Sequence, residues 1–351
     1  MSQPVAANSL LVPAEALITW AGACLRAVQM PDDDAQELAA ALVQTNLWGI
    51  DSHGIARLTH YLERMRRGSI LAQPVMEEQR TGPCTALLHG GQGQGHVVAF
   101  RANRLAMAMA RESGIGAVGV TDSSHCGAIG LYAREAARAG LVGIAFTHAD
   151  SVAVPHGGLR PFFGTNPIAI AFPRAGAEPV CLDMATTSIP MNRVMNAKRE
   201  GHPLPPDVAV DAQGQATTDA QAAVAVTPLG GAQYGHKGYA LALMVDLLCG
   251  PLMGNAYGRH LSSMYGDLDN PRRLGAFFIV IDPARFGGPM LPAVVAQMAA
   301  DLAAEPGAPR MPGDPEQDHE RERRANGIPV EPELLAEMRR WSAQLGVVAP
   351  A

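Results

Sequence analysis

Apolar residues recur at helical spacing through the first seventy positions, then give way to short apolar runs set between glycines. The spacing predicts a helix over 13–29 and a second that opens at Pro31-Asp-Asp-Asp34 and runs apolar through Leu38, Leu42 and Leu47. Acidic residues in its first turn suit the helix dipole, and Asp32 is placed to cap it. That helix stops near Gly49-Ile-Asp-Ser-His-Gly54, and a third, 56–67, ends at Gly68. Residues 1–9 carry no pattern and read as loose.

From Pro83 the pattern alternates between strand and helix. Strands are predicted at 86–89, 116–120, 141–146, 168–172, 179–182 and 276–281. Helices are predicted at 96–113, over the segment closed by Gly140, at 239–249, 291–304 and 331–345. Residues 189–235, rich in Pro, Gly and Gln with one helical piece at 192–199, read as a smaller lobe or lid; 305–315 is Pro-Gly-rich, and a charged tail starts at Glu316. The fold class is therefore α/β. The stretch 121–173 organises it: two apolar strands end in the polar clusters Thr121-Asp-Ser-Ser-His125 and Thr147-His-Ala-Asp-Ser151, and the turn Gly164-Thr-Asn-Pro167 leads into a third. Function is usually carried on loops held by such a scaffold.

The 351 residues are more than one core usually serves, and 48% are hydrophobic, which excludes a disordered chain. A net charge of −6 gives no broad basic surface, so a nucleic-acid partner is not expected. Five cysteines without a close pair fit reduced thiols better than a disulfide framework or a zinc site. No basic segment followed by an apolar core opens the chain, and the most apolar helix, 238–248, is too short for a bilayer and carries Asp246. A cytoplasmic protein without a membrane partner is expected.

Gly114-Ile-Gly-Ala-Val-Gly119 matches the dinucleotide fingerprint G-x-G-x-x-G, but a helix precedes it and a strand follows. The mechanism needs the reverse order, so Gly114 reads as a helix terminator. No P-loop and no H-E-x-x-H is present, the histidines show no metal spacing, and no metal is expected. His53 follows Ser52 and His125 follows Ser124, each where a regular element meets a loop. A histidine there can exchange a proton with a substrate hydroxyl or carbonyl, although Asp-Ser and Ser-Ser are also ordinary turn formers. Arg57 lies four residues beyond His53, with Tyr61 a further turn along. Its guanidinium suits a planar carboxylate, against the plain reading of a solvated arginine on a helix that also carries Arg64, Arg66 and Arg67. Lys237 is expected at the start of the apolar helix after His236, where a cation is disfavoured by the helix dipole unless an anionic ligand meets it.

Taken together these residues resemble the malate/L-lactate dehydrogenase family of the non-Rossmann type. The matching blocks are Gly49-Ile-Asp-Ser-His-Gly54 with Arg57, Ser124-His-Cys-Gly127, Pro155-His-Gly-Gly158, Gly164-Thr-Asn-Pro-Ile168, Asp183-Met-Ala-Thr186, Lys237-Gly-Tyr239 and Pro312-Gly313. Within the family, Thr81-Gly-Pro-Cys84, Gly127-Ala-Ile129, Ala136-Ala-Arg-Ala-Gly140, Gly258-Arg-His-Leu-Ser-Ser-Met-Tyr265, Asp267-Leu268 and Arg273-Leu-Gly275 are similar to the ureidoglycolate dehydrogenase subgroup. The resemblance implies a non-Rossmann NAD-binding mixed sheet flanked by helices, a helical N-terminal and C-terminal part, a small inserted lobe, and a homodimer. The implied division is 1–78 with 310–351 for the helical substrate and dimer part, 79–188 with 274–309 for the cofactor-binding sheet, and 189–273 for the lobe.

The resemblance also implies roles. His125 matches the acid/base histidine of ureidoglycolate dehydrogenases, and His53 the proton donor of the reductase branches, with Ser52 as its relay. Arg57, Tyr61 and Arg272 match substrate-side positions, and Thr165 lies in the loop that closes the site. Asp183, Met184, Ala185, His236, Lys237, Gly313 and Asp314 fall on the cofactor side. The chain departs from the subgroup at Ala149, where those enzymes use a serine near the cofactor, so Thr147 or Ser151 would have to substitute; His236, Met191-Asn-Arg193 and a proline-rich 305–315 depart as well. The implied reaction is reversible hydride transfer between NAD and C2 of a small 2-hydroxy acid, with ureidoglycolate first and malate, lactate or sulfolactate as alternatives. The absence of an evident arginine cluster near Asp183 favours NAD over NADP. NADPH-dependent reduction of a cyclic imino acid, as in piperideine-2-carboxylate reductases, is the other enzymatic reading, and an inactive binding homologue the non-enzymatic one.

Overall fold

A computed structural model describes residues 9–350; the unpatterned residues 1–8 and residue 351 lie outside the described part. The strands are β1 Leu10–Val12, β2 Glu77–Arg80, β3 Thr85–His89, β4 Ile115–Ser123, β5 Val142–Thr147, β6 Ile168–Phe172, β7 Val180–Met184, β8 Ala209–Val210, β9 Ala225–Val226, β10 Leu274–Ile281 and β11 Ile328–Val330. The helices are α1 Ala14–Ala27, α2 Asp32–Leu47, α3 Leu58–Arg67, α4 Gly95–Ser113, α5 Gly130–Arg138, α6 Met191–Glu200, α7 Gly231–Cys249, α8 Leu291–Ala304, α9 Asp314–Asn326 and α10 Pro332–Leu345. Seven strands form one sheet in the order β2-β3-β4-β10-β5-β6-β7. β3 and β4 pair in parallel across the crossover α4, and the remaining pairs are antiparallel. The mixed sheet expected from the resemblance is thus present, without a Rossmann arrangement.

Local chemistry explains the boundaries. Gln94 caps α4 by accepting from His96 N at 2.7 Å, and Gly114 ends it in the left-handed conformation, φ 86°. β4 then begins at Ile115, so the glycine pattern there terminates a helix as expected. β4 outlasts its apolar run and continues through Thr121 to Ser123, because β3 and β10 flank it on both edges. α2 is entered through Pro31, and Asp32 makes no cap bond; the three aspartates act on the helix dipole alone. α7 starts at Gly231, well before the expected 239. The glycines in its first turns are not loop-formers: a Cβ on Gly238 would stand 2.4 Å from Leu229 N, so the helix packs directly on the preceding backbone. α9 occupies the charged tail, where no apolar stripe marks a helix.

The core falls into separate clusters. One lies between the sheet and the helices α4 and α5, with Leu88, Val98, Ala106, Val120, Tyr132 and Phe278. A second joins α1–α3 to the C-terminal end through Trp20, Leu42, Tyr61, Val330, Met338 and Trp341. A smaller third, with Val194, Ala209 and Val226, holds the segment between β7 and α7. Among the described residues no helix is long and apolar enough to cross a membrane.

Candidate active site

The turn between α2 and α3 is held before it can present anything. Asp51–His53 and Ile55–Arg57 are short 3-10 turns, so His53 and Arg57 meet through two consecutive turns and not along one helical face. Asn46, 3% exposed, accepts from Ile55 N at 2.7 Å and donates to Asp51 Oδ1 at 2.6 Å. Gly54 leaves the room this requires, since a Cβ there would stand 2.1 Å from Asn46 Oδ1. From α9, Arg323 grips both oxygens of Asp51, at 2.6 and 2.8 Å, and donates to the Asn46 carbonyl. Arg323 carries no sequence signal of this role, because its contact spans most of the chain, and Asn46 reads as an ordinary polar residue near the end of α2.

Behind this turn the polar ends of the sheet strands gather. Ser52 Oγ lies 2.8 Å from His53 Nδ1, and Tyr61 OH lies 2.6 Å from His125 Nδ1. The two imidazoles stack with centroids 5.7 Å apart. Nε2 of neither ring has a hydrogen-bond partner among the described residues. Burial pushes the pKa of His53 down to about 4, helped by the Arg57 charge. Burial holds His125 well below the usual imidazole range, with His53, Arg57, His96 and Arg272 adding to the effect. Both rings are therefore neutral at pH 7. Burial raises the Tyr61 phenol above its ordinary range, so it stays protonated. Gly127 N–H also points at His125 Nδ1, at 3.4 Å. Two donors on Nδ1 make it an acceptor and put the ring proton on Nε2. Ser52 can donate or accept, so His53 is free to leave its Nε2 lone pair bare.

Arg57 donates to the Ser52 carbonyl at 2.5 Å and to the Tyr265 hydroxyl. Arg272 is buried, paired with Asp150 at 2.8 Å, and electrostatically coupled to Tyr61 and His125. Arg64, grouped by sequence with solvated arginines, is buried. It donates to the carbonyls of Met264 at 2.9 Å and Asp267 at 2.6 Å, and to those of Ser263 and Asn270. It thus ties the 263–270 loop, with Tyr265, to α3. A third ring, His96, stands behind Tyr61 at 5.8 Å; it is buried with Nε2 unpartnered.

The residues expected on the cofactor side occupy other places. Asp183, near the end of β7 before Met184 and Ala185, accepts from Gly130 N at 2.8 Å and so caps α5. Burial raises its carboxyl to about 6, against the Gly130 bond and the Arg134 charge. Gly313, φ 101°, leads into α9; a Cβ there would meet Cys181 N at 3.3 Å and Arg134 at 3.4 Å. Around it Arg134 Nε and Nη1, Glu316 Oε2 and Gln317 Nε2 are buried without hydrogen-bond partners. Arg134 couples to Asp183, and Arg174, Arg310 and Arg321 line a cleft of about 540 Å³ with Asp314 and Asp318. Arg174 pairs with Asp314 at 2.8 Å, and Arg310 and Arg321 share Asp318. The folding of β6–β7 against α9 brings them together, which spacing alone does not reveal.

Thr165 contributes its carbonyl to Thr186 N at 2.9 Å. Lys237 is not at a helix start but in the second turn of α7, exposed, 5.6 Å from the Tyr234 ring, so the dipole argument for it lapses. His236 is exposed and meets the His156 ring at 5.7 Å. Thr147 Oγ1 donates to the Gly275 carbonyl and Ser151 Oγ to the Phe162 carbonyl, so both hydroxyls near Ala149 are engaged. Among the described residues no three His, Cys, Asp or Glu groups gather as a metal ligand set.

Comparison with known proteins agrees with this architecture. A family model described as malate/L-lactate dehydrogenase matches residues 12–339. The chain is 39% identical over 254 residues to a ureidoglycolate dehydrogenase (NAD(+)) of Escherichia coli O157:H7, covering 72% of each chain. It is 36% identical over 297 residues to a (2R)-3-sulfolactate dehydrogenase (NADP(+)) of Chromohalobacter salexigens, covering 84% of this chain and 87% of that one. The malate dehydrogenase of Pyrococcus horikoshii OT3 superposes with a TM-score of 0.89 at 31% identity over 99% of both chains.

Proposed function

The chain belongs to the malate/L-lactate dehydrogenase family, and from that premise we propose that it oxidises ureidoglycolate at C2 with NAD, reversibly. The coarser activity is that of a nicotinamide-dependent dehydrogenase acting on a 2-hydroxy acid. The observation that carries the reading is the pair of neutral imidazoles, 5.7 Å apart, beside the Arg57 guanidinium. The identity with the Escherichia coli enzyme supports ureidoglycolate.

The unpartnered atoms of Arg134, Glu316 and Gln317 around Gly313 fit the polar groups of a dinucleotide, with Asp183, Met184 and Ala185 at the end of β7 beside them. The identity with the NAD(+)-dependent Escherichia coli enzyme favours NAD. When bound, the nicotinamide supplies the hydride acceptor. This chain's residues supply the rest. Arg57 holds the C1 carboxylate through its free N–H groups. Nε2 of His53 takes the hydroxyl proton as the C2–H bond breaks and the C2–O bond becomes double, while Nδ1–H donates to Ser52. In the reverse direction the protonated Nε2 of His53 returns its proton to the 2-oxo oxygen, and in both directions the Nε2–H of His125, fixed by Tyr61 and Gly127, donates a hydrogen bond to that oxygen without losing its proton. Arg272 stays with Asp150 and adds positive potential.

A second copy of the chain fits the exposed flank of α7, where Leu241, Met244 and Leu247 are 40–50% exposed, giving a homodimer. Light scattering after gel filtration should return twice the 36.8 kDa chain mass. For the activity, absorbance at 340 nm is followed with NAD and with NADP against ureidoglycolate, malate, lactate and sulfolactate. Turnover with ureidoglycolate and NAD is expected. Turnover only with another acid would discard the substrate and keep the class. Silence with all four, followed by NADPH-dependent reduction of a cyclic imino acid, would replace the reaction.

A further inference from the structure

Tyr265 is the aromatic side chain least explained by packing around this site. It is 61% exposed, yet its surroundings fix it from three sides. Its hydroxyl accepts from Arg57, with the guanidinium 6.0 Å from the ring centroid. Its ring meets His60 edge-on at 5.3 Å. Its backbone belongs to the loop that the buried Arg64 ties down through four carbonyls, and the neighbouring Met264 N donates to Asp150 at 3.1 Å. Asp150 in turn holds Arg272. A solvent-exposed tyrosine that contributes little to the core rarely has its loop anchored by two buried arginine systems.

A phenol has one hydrogen to donate and oxygen lone pairs that accept. Here Arg57 occupies an accepting position, and the O–H has no acceptor among the described residues. The hydrogen therefore points away from the guanidinium beside a fixed positive charge. Arg57 has spent Nε on the Ser52 carbonyl and one N–H on Tyr265. Its remaining N–H groups and the Tyr265 O–H are neighbouring donors. Two donors of that kind suit the two oxygens of a planar carboxylate.

We infer that Tyr265 is a substrate-binding residue that completes, with Arg57, a two-part clamp for the carboxylate of the 2-hydroxy acid. The inference rests on the functional reading above and adds a residue to it. Arg64 acts as a positioning residue, setting the height of Tyr265 over Arg57 by holding the loop backbone. Selectivity for acids over the corresponding amides follows, because an amide offers one acceptor where the clamp expects two.

The test uses the wild-type protein and four variants. Tyr265→Phe keeps the ring and its contact with His60 and removes only the hydroxyl. KM for the 2-hydroxy acid that the wild type turns over is measured together with kcat. The dissociation constant of oxamate from the NADH complex is read from quenching of NADH fluorescence. Tyr265→Phe is expected to raise both KM and the oxamate constant by roughly tenfold to a hundredfold, the loss typical of one hydrogen bond to a charged acceptor. The NADH affinity and the thermal midpoint should stay at wild-type values, which a merely structural role would not allow. Arg64→Leu should raise the same two constants through loop movement, and adding Tyr265→Phe to it should raise them little further. Tyr265→Phe with wild-type KM and wild-type oxamate binding would overturn the clamp. Arg57→Lys, measured alongside, separates the cases: if it weakens oxamate while Tyr265→Phe does not, the functional reading stands and the clamp falls. If the wild type neither turns over any 2-hydroxy acid nor binds oxamate, the reading falls and the clamp with it.

Discussion

Replacing Gly54 by alanine should damage the site without touching a reacting group. The added Cβ would stand 2.1 Å from Asn46 Oδ1 and 2.4 Å from its Cγ, closer than any packing permits. Asn46 is 3% exposed and makes two bonds, from Ile55 N at 2.7 Å and to Asp51 at 2.6 Å. It must swing out and lose both. The bond to a charged carboxylate is worth about 1.5–3 kcal/mol, and leaving the buried Ile55 N–H unmet costs about 1–3 kcal/mol. Together these give roughly 2.5–6 kcal/mol, a large part of the ~5–15 kcal/mol by which such a fold is stable. The freed turn also carries Ser52 and His53, and a displacement of about 1 Å at a reacting group costs on the order of a hundredfold in rate. Urea denaturation measures the first effect and kcat at saturating substrate the second. Asn46→Ala loses the same bonds, so the double variant should be little worse than either single one. Wild-type stability and kcat in Gly54→Ala would refute the idea that Asn46 holds this turn.

Arg323→Leu removes the bidentate grip on the half-exposed Asp51 and should cost about 1–3 kcal/mol in urea stability and lower kcat, with NADH affinity unchanged; a loss of NADH affinity alone would contradict this. Arg57→Lys should raise KM for the acid at least tenfold, about the value of a lost bidentate bond, and leave cofactor binding intact; weaker cofactor binding instead would place Arg57 on the wrong side of the pocket. Acid should destabilise the fold: His53 and His60 are lowered from 6.5 to about 4, His96 to about 3, and His125 is lowered too. Between those values and 6.5 the unfolded chain binds protons that the folded one excludes, so stability is full above about pH 6.5 and is lost as pH falls toward 4. Asp183, raised to about 6, opposes this with one proton held by the folded state, but the four histidines outweigh it. The urea midpoint should therefore drop steadily below pH 6.5, and a midpoint that rises would contradict the assigned burial.

The elements legible in the sequence were those whose burial is one-sided or complete. β6 and α8 fall on the expected residues, and Gly114 ends α4 as its place between helix and strand required. β2 escaped because Glu77–Arg80 lies exposed on a sheet edge and needs no apolar alternation. α9 escaped because its buried member, Arg323, is itself charged. At the site, Ser52, His53, Arg57, Tyr61 and His125 were named from local motifs, and the fold brings them into one cluster. The groups that position them were not legible. Arg64 looks like its solvated neighbours Arg66 and Arg67, and only the return of the 263–270 loop onto α3 buries it. Lys237 was misplaced because glycines that serve close helix packing look like glycines of a loop.

The most direct test of the central claim, that His53 moves the proton that accompanies hydride transfer while His125 holds the substrate oxygen, is a single turnover followed at 340 nm. Excess enzyme with NAD is mixed with the 2-hydroxy acid, in protium and C2-deuterated form, for the wild type, His53→Asn and His125→Asn. Reduced nicotinamide should form in the wild type with a primary isotope effect. The rate should fall by about a hundredfold to ten-thousandfold when the proton-accepting ring is removed, the usual contribution of a positioned base. His53→Asn should show that fall in oxidation and reduction alike, because both directions cross one transition state, and His125→Asn should show a smaller fall that is again shared by both directions. Equal rates in all three proteins, in both directions, would contradict the account.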